Sequence, residues 1–239
     1  MNNDTGKVAV LGGSSGIGLA TVARLAGAGY DVIATGRDAD KLEAATASID
    51  GSVRIEAFDG AQREQLERFF ASAGSIDHLV IALSGGDGAG PFRELDLGML
   101  RRGFDAKFWP HVQAAQAALP TLRSGGSITF VTAISARVAN PGTSGLAAIN
   151  AAIEAMVPVL ARELAPTRVN AVSPGVVKTP WWNGLPDGAR QAFFEQHASA
   201  LPVGRIGEPD DVAQAIAFLI GNGYTTGSVI ECDGGLHLL

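Results

Sequence analysis

A glycine- and serine-rich turn near the start of the chain has the residue types that bind phosphate groups. The turn reads Gly12-Gly13-Ser14-Ser15-Gly16-Ile17-Gly18. It follows the apolar run 8–11, and after it apolar residues recur at helical spacing from Leu19 onward. Glycines let the backbone approach a ligand with no Cβ in the way, and a helix start offers unpaired N–H groups and the positive end of its dipole. This order of strand, turn and helix predicts a dinucleotide-phosphate site, with a merely tight connection as the alternative.

Strand-like and helix-like segments alternate along most of the chain. The predicted strands are 8–11, 31–36, 52–58, 78–83, 127–132, 168–173 and 228–233. After the first helix, the predicted helices are 39–48, 61–73, 96–122, 144–164 and 209–220. Apolar strands separated by helices imply a parallel sheet buried on both faces, and right-handed crossovers make this an α/β doubly wound Rossmann-type fold. Because no repeat or linker interrupts the pattern, we expect a single domain over 1–239.

Composition narrows the class of protein and its partners. At 239 residues, 46% of them apolar, the chain is long enough for one large core. A net charge of −6 without a lysine/arginine cluster argues against a nucleic-acid partner. We expect no membrane span, since no run of about 18 apolar residues occurs, and the polar N-terminus lacks a signal-peptide layout. With Cys232 as the single cysteine, a cytoplasmic protein with a small-molecule pocket is expected.

Over essentially its whole length, the sequence resembles the short-chain dehydrogenase/reductase family. The glycine turn is similar to the family's T-G-x-x-x-G-I-G, with Leu11 in place of the threonine. The segments 170–179, 205–209 and 226–235 resemble the stretch that passes the nicotinamide and the C-terminal signature of the family. The resemblance implies a cofactor bound by Gly12, Ser14, Ser15, Gly16, Ile17, Gly18, Arg37, Asp59, Asn150, Pro174, Gly175 and Thr179.

The end of the second strand bears on the choice of cofactor. A carboxylate there bonds a ribose 2′-hydroxyl and repels a 2′-phosphate, whereas an arginine does the reverse. The strand ends in Gly36, Arg37 and Asp38, with glycine at the family's usual acid position. NADP(H) is therefore favoured. Asp38 keeps NAD(H) open, and an exposed Arg37 paired with Asp38 or Asp40 is the alternative to a role in binding.

The catalytic positions of the family carry unexpected residues. The family's chemistry rests on Tyr-x-x-x-Lys, a serine 13 residues before the tyrosine, and an asparagine on the preceding long helix. Alignment on the segment 161–164 places Leu146 and Asn150 at the tyrosine and lysine positions, Ala133 at the serine and Lys107 at the asparagine. Leu146 has no ionisable proton, and Asn150 has no charge to tune one. We therefore do not expect the family's standard proton transfer.

Lys107 and His111 are the candidate substitutes. An ammonium at the asparagine position can polarise a carbonyl or donate a proton. Pro110 lacks an N–H, so the carbonyl of Ala106 is expected to lose its helical partner and could hold a water beside Lys107. His111 follows Lys107 by one turn, hence on a similar face. The alternatives are a Lys107 paired with a carboxylate and a His111 packed in the core or an interface.

The segment 180–202 occupies the place of the family's substrate lid. Its apolar side chains are Trp181, Trp182, Leu185, Phe193 and Phe194. They indicate a hydrophobic or amphipathic ligand, or else they pack the lid onto its own domain. In the family, the helix at 144–164 and the one before it commonly form a dimer interface, so a homodimer or homotetramer is expected; its alanines also suit packing within one chain. Neither a hydrolase triad nor a metal site is predicted.

Three functions remain open at the level of sequence. The first is an NADP(H)-binding oxidoreductase-like protein that acts on carbonyl or alcohol groups of a hydrophobic small molecule by a non-standard or weak mechanism. The second, from a different class, is a catalytically inactive nucleotide-binding sensor or a scaffold partner of an active relative. The third, an enzyme that uses the pocket for non-redox chemistry, such as elimination or isomerisation, is the least favoured of them, because the nucleotide-binding turn is intact.

Overall fold

Seven parallel strands form one sheet in the computed structural model, which describes residues 5–239. The strands, β1 to β7 in chain order, are Lys7–Leu11, Asp31–Gly36, Val53–Ala57, Ile76–Ile81, Leu122–Val131, Arg168–Pro174 and Val229–Cys232. Their order across the sheet is β3-β2-β1-β4-β5-β6-β7. This order changes direction between β1 and β4, and doubly wound sheets bind ligands at such a point, beyond the carboxyl ends of their strands.

Helices cover both faces of the sheet. In the described part of the chain, α1 to α8 are Gly16–Gly27, Ala39–Thr46, Arg63–Ala73, Leu97–Gly103, Trp109–Ala118, Ser144–Glu163, Asp187–Ala200 and Pro209–Gly221. One core cluster packs α3, α5 and α6 against the sheet, and the other packs α1, α2 and α8. The α/β doubly wound fold predicted from the sequence is confirmed.

Strand β1 shows why the central strands carry successive apolar residues. Successive side chains of a strand point to opposite faces of the sheet. Ala9 and Leu11 accordingly join the α3/α5/α6 cluster, whereas Val8 and Val10 join the α1/α2/α8 cluster. All four side chains are fully buried. A sheet covered on both faces has no place for the polar half of an alternating pattern.

The long helical region expected over roughly 96–122 is present as a continuous run from residue 97 to residue 118, but it contains a π-helical turn that the sequence did not predict. The segment contains α4, a π-helical turn at Phe104–Phe108 and α5, after which β5 begins at Leu122. Pro110, near the start of α5, has no N–H to continue the α-helical ladder. The N–H of Trp109 instead donates to the carbonyl of Phe104, five residues earlier. Turns of this kind are rare and recur at functional sites, and this one carries Lys107.

Helix α6 meets the length and hydropathy criteria of a membrane-spanning helix, although polar and charged residues interrupt it and it contains no run of about 18 apolar residues. The mean hydropathy of its most apolar 18-residue window is 1.5. In the fold, however, 39% of that window is buried within the protein, and the helix carries the buried polar residues Asn150 and Glu154. Core helices of α/β proteins share this composition, so composition alone does not indicate a membrane span.

A buried arginine joins β6 to the end of α8. The guanidinium of Arg168 donates to the carbonyl oxygens of Leu219, Ile220 and Thr225 at 2.6, 2.8 and 3.3 Å. Leu219 and Ile220 lie in the last turn of α8, where carbonyls lack helical partners and a positive charge is favourable.

Replacing Arg168 with methionine keeps much of its apolar stem and leaves these carbonyls unpaired. We expect the variant to lower the free energy of unfolding by about 2–4 kcal/mol, because hydrogen bonds to a charged donor are lost at a buried site. Urea denaturation measures this, with the exposed Arg54→Met as the control. Equal stabilities of the two variants would contradict this role of Arg168.

Candidate active site

A cavity of about 670 Å³ lies at the carboxyl ends of the central strands. Gly12 follows β1, Ala82 follows β4, Thr132 follows β5 and Pro174 ends β6, and all four line the cavity. The π turn and α6 supply further walls. The cavity therefore lies where the strand order changes direction, and doubly wound sheets commonly bind their ligands at this point.

The glycine turn packs closely against its neighbours because its glycines have no side chains. A Cβ on Gly12 would lie 2.7 Å from the carbonyl oxygen of Ala82, and one on Gly18 would lie 2.1 Å from that of Gly12. Gly12 also has a φ of +86°, which favours glycine. Helix α1 begins at Gly16, and its first residues line the cavity. The N–H groups of this helix start are thereby available to an anion in the cavity.

Most of the residues predicted to bind a cofactor meet at this cavity. Those that line it are Gly12, Ser15, Gly16, Ile17, Gly18, Asn150, Pro174, Gly175 and Thr179. Ser14, Arg37 and Asp59 are not part of the lining. Ser14 lies against the end of β2, because a Cβ on Gly36 would be 3.2 Å from that of Ser14.

Arg37, which follows Gly36, is exposed. It does not pair with Asp38 or Asp40, which was the alternative expected from the sequence. It forms no ion pair with any carboxylate in residues 5–239. Asp38 instead caps α2, where its carboxylate accepts the N–H of Lys41 at 3.0 Å. Asp59 is half-buried, and its carboxylate accepts the N–H of Ala61 at 3.0 Å. The guanidinium of Arg37 is therefore free to meet an anion.

Asn150 presents an unpaired acceptor at the cavity. Its side chain is 3% exposed, and its Nδ2 donates to the carbonyl of Leu146 at 2.9 Å and to Oγ of Ser135 at 3.2 Å. Because a carbonyl can only accept, these bonds fix which way the amide points. Oδ1 is then buried without a partner in the described part of the chain. Such an acceptor is costly unless a ligand or water satisfies it.

Leu146 and Ala133, which line the cavity near Asn150, carry no side chain that could donate a proton. Leu146 precedes Asn150 by one turn of α6, and both line the cavity together with Ala133. The two tyrosines of the chain lie elsewhere. Tyr30 packs edge-on against His78, and Tyr224 is fully exposed. No phenol of residues 5–239 therefore lines this cavity.

Lys107 brings the one buried ammonium group to the cavity wall among the described residues. Its side chain is 9% exposed, and Nζ donates to the backbone carbonyl of Thr132 at 3.1 Å. Burial lowers the pKa of Lys107 to about 8, and the negative charge of Glu154 opposes this shift. Lys107 is therefore still protonated at neutral pH, but it can lose its proton far more readily than an exposed lysine.

His111 supports the π turn and does not line the cavity. Its ring Nδ1 lies 2.8 Å from the backbone carbonyl of Lys107 and donates to it, and the ring stacks on Phe130. Burial, followed by the charge of Lys107, lowers the pKa of His111 to about 3, so the ring is neutral. This geometry matches the alternative expected from the sequence, a histidine that is packed in the core and has no catalytic role.

Sequence reasoning missed Glu154. This buried residue lies one turn beyond Asn150 on α6, and its carboxylate accepts the hydroxyl of Thr132 at 2.8 Å and Nε of Arg137 at 3.0 Å. Arg137 also pairs with Glu231 at 2.8 Å. An acid four residues after Asn150 in an alanine-rich helix was the signal that could have found it, since that spacing shares one helix face.

The segment 180–202 forms a short 3₁₀ turn, Pro180–Gly184, followed by α7. Trp181, Trp182 and Phe193 line the cavity, together with His197, whereas Leu185 and Phe194 do not. The indole N–H of Trp181 reaches the carbonyl of Gly85 in the loop after β4 at 3.3 Å. Trp182 packs on Phe193 and Phe194 with ring centroids 4.7 and 5.9 Å apart. The aromatic residues therefore both line the cavity and pack the segment onto the protein.

The chain is similar to oxidoreductases over nearly its whole length. A family model described as Enoyl-(Acyl carrier protein) reductase matches residues 12–237. The 3-oxoacyl-(acyl-carrier-protein) reductase FabG of Thermotoga maritima is 34% identical, with 97% of this chain and 98% of that protein covered. A solved small-chain dehydrogenase in complex with NADPH is 36% identical over 98% of this chain and 99% of that one, with a TM-score of 0.85. A short-chain dehydrogenase/reductase from Serratia marcescens is 30% identical over 97% of both chains, with a TM-score of 0.87.

Replacing Lys107 with methionine tests its unusual titration without a substrate. Between pH about 8 and 10.5, an unfolded chain keeps the proton on Lys107 and the folded protein releases it. The unfolded state binds more protons there, so this group makes the wild type more stable as pH rises. The free energy of unfolding of Lys107→Met minus that of the wild type is therefore largest near pH 7 and falls as pH rises from 8 toward 10.5.

Urea denaturation at a series of pH values measures this difference, with the exposed Lys41→Met as the control. The control should differ from the wild type by a constant amount. A constant difference for Lys107→Met as well would show that the pKa of Lys107 is not lowered.

Proposed function

The chain belongs to the short-chain dehydrogenase/reductase family of oxidoreductases, and we propose that it binds NADP(H) and interconverts a carbonyl compound and an alcohol in its cavity. The observation that carries the proposal is the meeting of three features at one cavity: the glycine turn, the unpaired Oδ1 of Asn150 and the buried Lys107. The solved relative with bound NADPH supports a nicotinamide cofactor.

The residues of the cavity fit such a cofactor. The glycine turn and the start of α1 offer N–H groups to its phosphates, and Oδ1 of Asn150 offers an acceptor to a ribose hydroxyl. Asp59 is assigned to the adenine by family resemblance. The exposed Arg37, beside Ser14, favours a 2′-phosphate over a free 2′-hydroxyl. When bound, the cofactor supplies or accepts a hydride at its nicotinamide ring.

Lys107 is the proposed proton donor for the carbonyl oxygen of the substrate. The carbonyl of Thr132 holds its ammonium at the cavity wall, and Leu146 and Ala133 line the cavity with apolar surface. A pKa of about 8 lies near neutral pH, where a general acid is most effective. Donating the proton leaves a neutral amine, which buried surroundings favour. In oxidation, the same amine accepts the proton of the alcohol.

The substrate is proposed to be a hydrophobic or amphipathic small molecule. Trp181, Trp182 and Phe193 line the cavity from the segment 180–202, which we assign as a lid. The link from Trp181 to Gly85 joins this lid to the loop after β4. Apolar walls with few polar groups suit ligands of this kind.

A second candidate function is a catalytically inactive nucleotide-binding sensor or scaffold. Leu146 and Asn150 favour it, because neither can supply the proton that the family's reaction needs. In this case, nucleotide binding is intact and turnover is absent.

Assembly and location are proposed from family resemblance. We assign a homodimer or homotetramer through α5 and α6, which expose Trp109 and Val159 by 50% and 53%. A cytoplasmic location fits the single, unpaired Cys232.

Arg37→Ala tests the choice of cofactor. The lost charge-assisted hydrogen bond should weaken NADPH binding by about tenfold to a hundredfold. NADH, which has no 2′-phosphate, should bind nearly as before. Calorimetric titration with both nucleotides measures this, and Lys41→Ala, an exposed cation on the neighbouring helix, is the control. Equal losses for NADPH and NADH would refute the assignment, and binding of neither to the wild type would refute the cofactor site.

Lys107→Ala tests the proposed chemistry. Removal of a positioned general acid should lower kcat/KM for NADPH-dependent reduction by about 10²–10⁴. A panel of apolar ketones and aldehydes, followed at the nicotinamide absorbance, measures this against Lys41→Ala. Turnover that persists in Lys107→Ala removes Lys107 from the mechanism. Nucleotide binding without any wild-type turnover favours the sensor or scaffold.

A further inference from the structure

Glu154 is a buried carboxylate to which the proposed reaction gives no task. Its side chain is 8% exposed, on a helix made mostly of alanine and aliphatic residues. Burial of a charged carboxylate is expensive unless partners satisfy it. Two partners do so: the hydroxyl of Thr132 at 2.8 Å and Nε of Arg137 at 3.0 Å. Arg137 in turn bonds Glu231 of β7 at 2.8 Å, which holds it from both sides.

Thr132 connects Glu154 to Lys107. The hydroxyl of Thr132 donates to Glu154, and the backbone carbonyl of the same residue accepts Nζ of Lys107 at 3.1 Å. The N–H of Thr132 donates to the carbonyl of Val172 at 2.9 Å, which anchors it to β6. The hydroxyl of Thr132 also lies 3.2 Å from the carbonyl oxygen of Val172. The acceptor for the ammonium therefore belongs to a residue that β6 and Glu154 hold together.

The other titratable side chains on the helices packed against Lys107 are exposed or neutral, so they have little effect on its pKa. Helix α4 packs against the π turn and carries Arg101 and Arg102, both exposed. Arg102 is engaged by Asp87 at 3.2 Å. Helix α5 supplies His111, which is neutral. Helix α6 supplies Glu154, and its carboxylate is the negative charge that raises the pKa of Lys107 against the effect of burial.

His197 is the remaining titratable group at the cavity, besides Asp87 and Lys107. It belongs to α7, and its Nδ1 bonds the carbonyl of Phe193 at 2.8 Å, within its own helix.

We propose that Glu154 is a positioning residue for Lys107: its carboxylate, held by Arg137, accepts from Thr132, whose carbonyl binds the ammonium, and it adds a negative charge to the surroundings of that ammonium. The inference rests on the proposed role of Lys107 as proton donor. The negative charge of Glu154 offsets part of the effect of burial, so the buried Lys107 still carries its proton at neutral pH. Glu154 does not line the cavity, whereas Thr132 and Lys107 do, so its proposed effect passes through Thr132 and through the electrostatic field.

Glu154→Gln keeps an oxygen that can accept from Thr132 and removes the charge. We expect the apparent pKa of Lys107 to fall by about one unit from its value of about 8. The rate of acetylation of Lys107 as a function of pH, followed by mass spectrometry, measures this without substrate. Glu163→Gln, an exposed acid on the same helix, is the matched control and should leave that pKa unchanged.

Thr132→Val provides a second test with an isosteric side chain. Loss of the hydroxyl lets the carboxylate withdraw toward Arg137, so the pKa of Lys107 should fall in the same direction by a smaller amount. Thermal unfolding and circular dichroism verify that each variant folds. An unchanged pKa of Lys107 in whichever of the two variants folds overturns the proposal.

Measurements of reduction rate distinguish a failure of this inference from a failure of the proposed function. If Lys107 is the proton donor, the loss of reduction rate at high pH moves to lower pH in Glu154→Gln. If Lys107→Ala leaves turnover intact, the proposed chemistry fails, while the labelling experiment still reports whether Glu154 sets the protonation of Lys107.

Discussion

The hydrogen bond from Lys107 to the carbonyl of Thr132 joins the two halves of the candidate site. Lys107 belongs to the π turn, and Thr132 follows directly after β5. Pro110 has no N–H to donate to the α-helical ladder, and the π turn that precedes it accommodates this loss within a continuous helical run. His111 then donates to the backbone carbonyl of Lys107, at the cost of keeping a neutral histidine in the core. Lys107 is thus held at its backbone carbonyl by His111 and at Nζ by Thr132.

The sheet provides the frame for this arrangement. Because all seven strands are parallel, their carboxyl ends meet at one edge, and the loops that follow β1, β4 and β5 converge there. Gly12 and Gly18 allow the first of these loops to approach its neighbours more closely than any side chain permits. The nucleotide half of the site depends on this close packing, whereas the chemical half depends on the surroundings of Lys107.

Much of the fold could be predicted because its signals are local. Apolar strands, a glycine turn and alternating helices identify a doubly wound sheet. Gly16 was assigned to the cofactor site from the glycine motif, and Pro174 from the resemblance to the short-chain dehydrogenase/reductase family. The π-helical turn within the predicted helical region at 96–122 was missed, since whether a proline at this depth kinks a helix or widens it depends on tertiary contacts. The partners of Glu154 were also missed. Arg137 and Glu154 are 17 residues apart in the chain, and only the fold brings the two side chains together.

A crystal structure of the complex with NADP⁺ tests the proposed site most directly. We expect the pyrophosphate at the start of α1, the 2′-phosphate within hydrogen-bond distance of Arg37, and a ribose hydroxyl on Oδ1 of Asn150. We also expect the nicotinamide ring on the side of the cavity that Lys107 and Thr132 line. A nucleotide bound away from the glycine turn, or a nicotinamide ring turned away from Lys107, would contradict the proposed site.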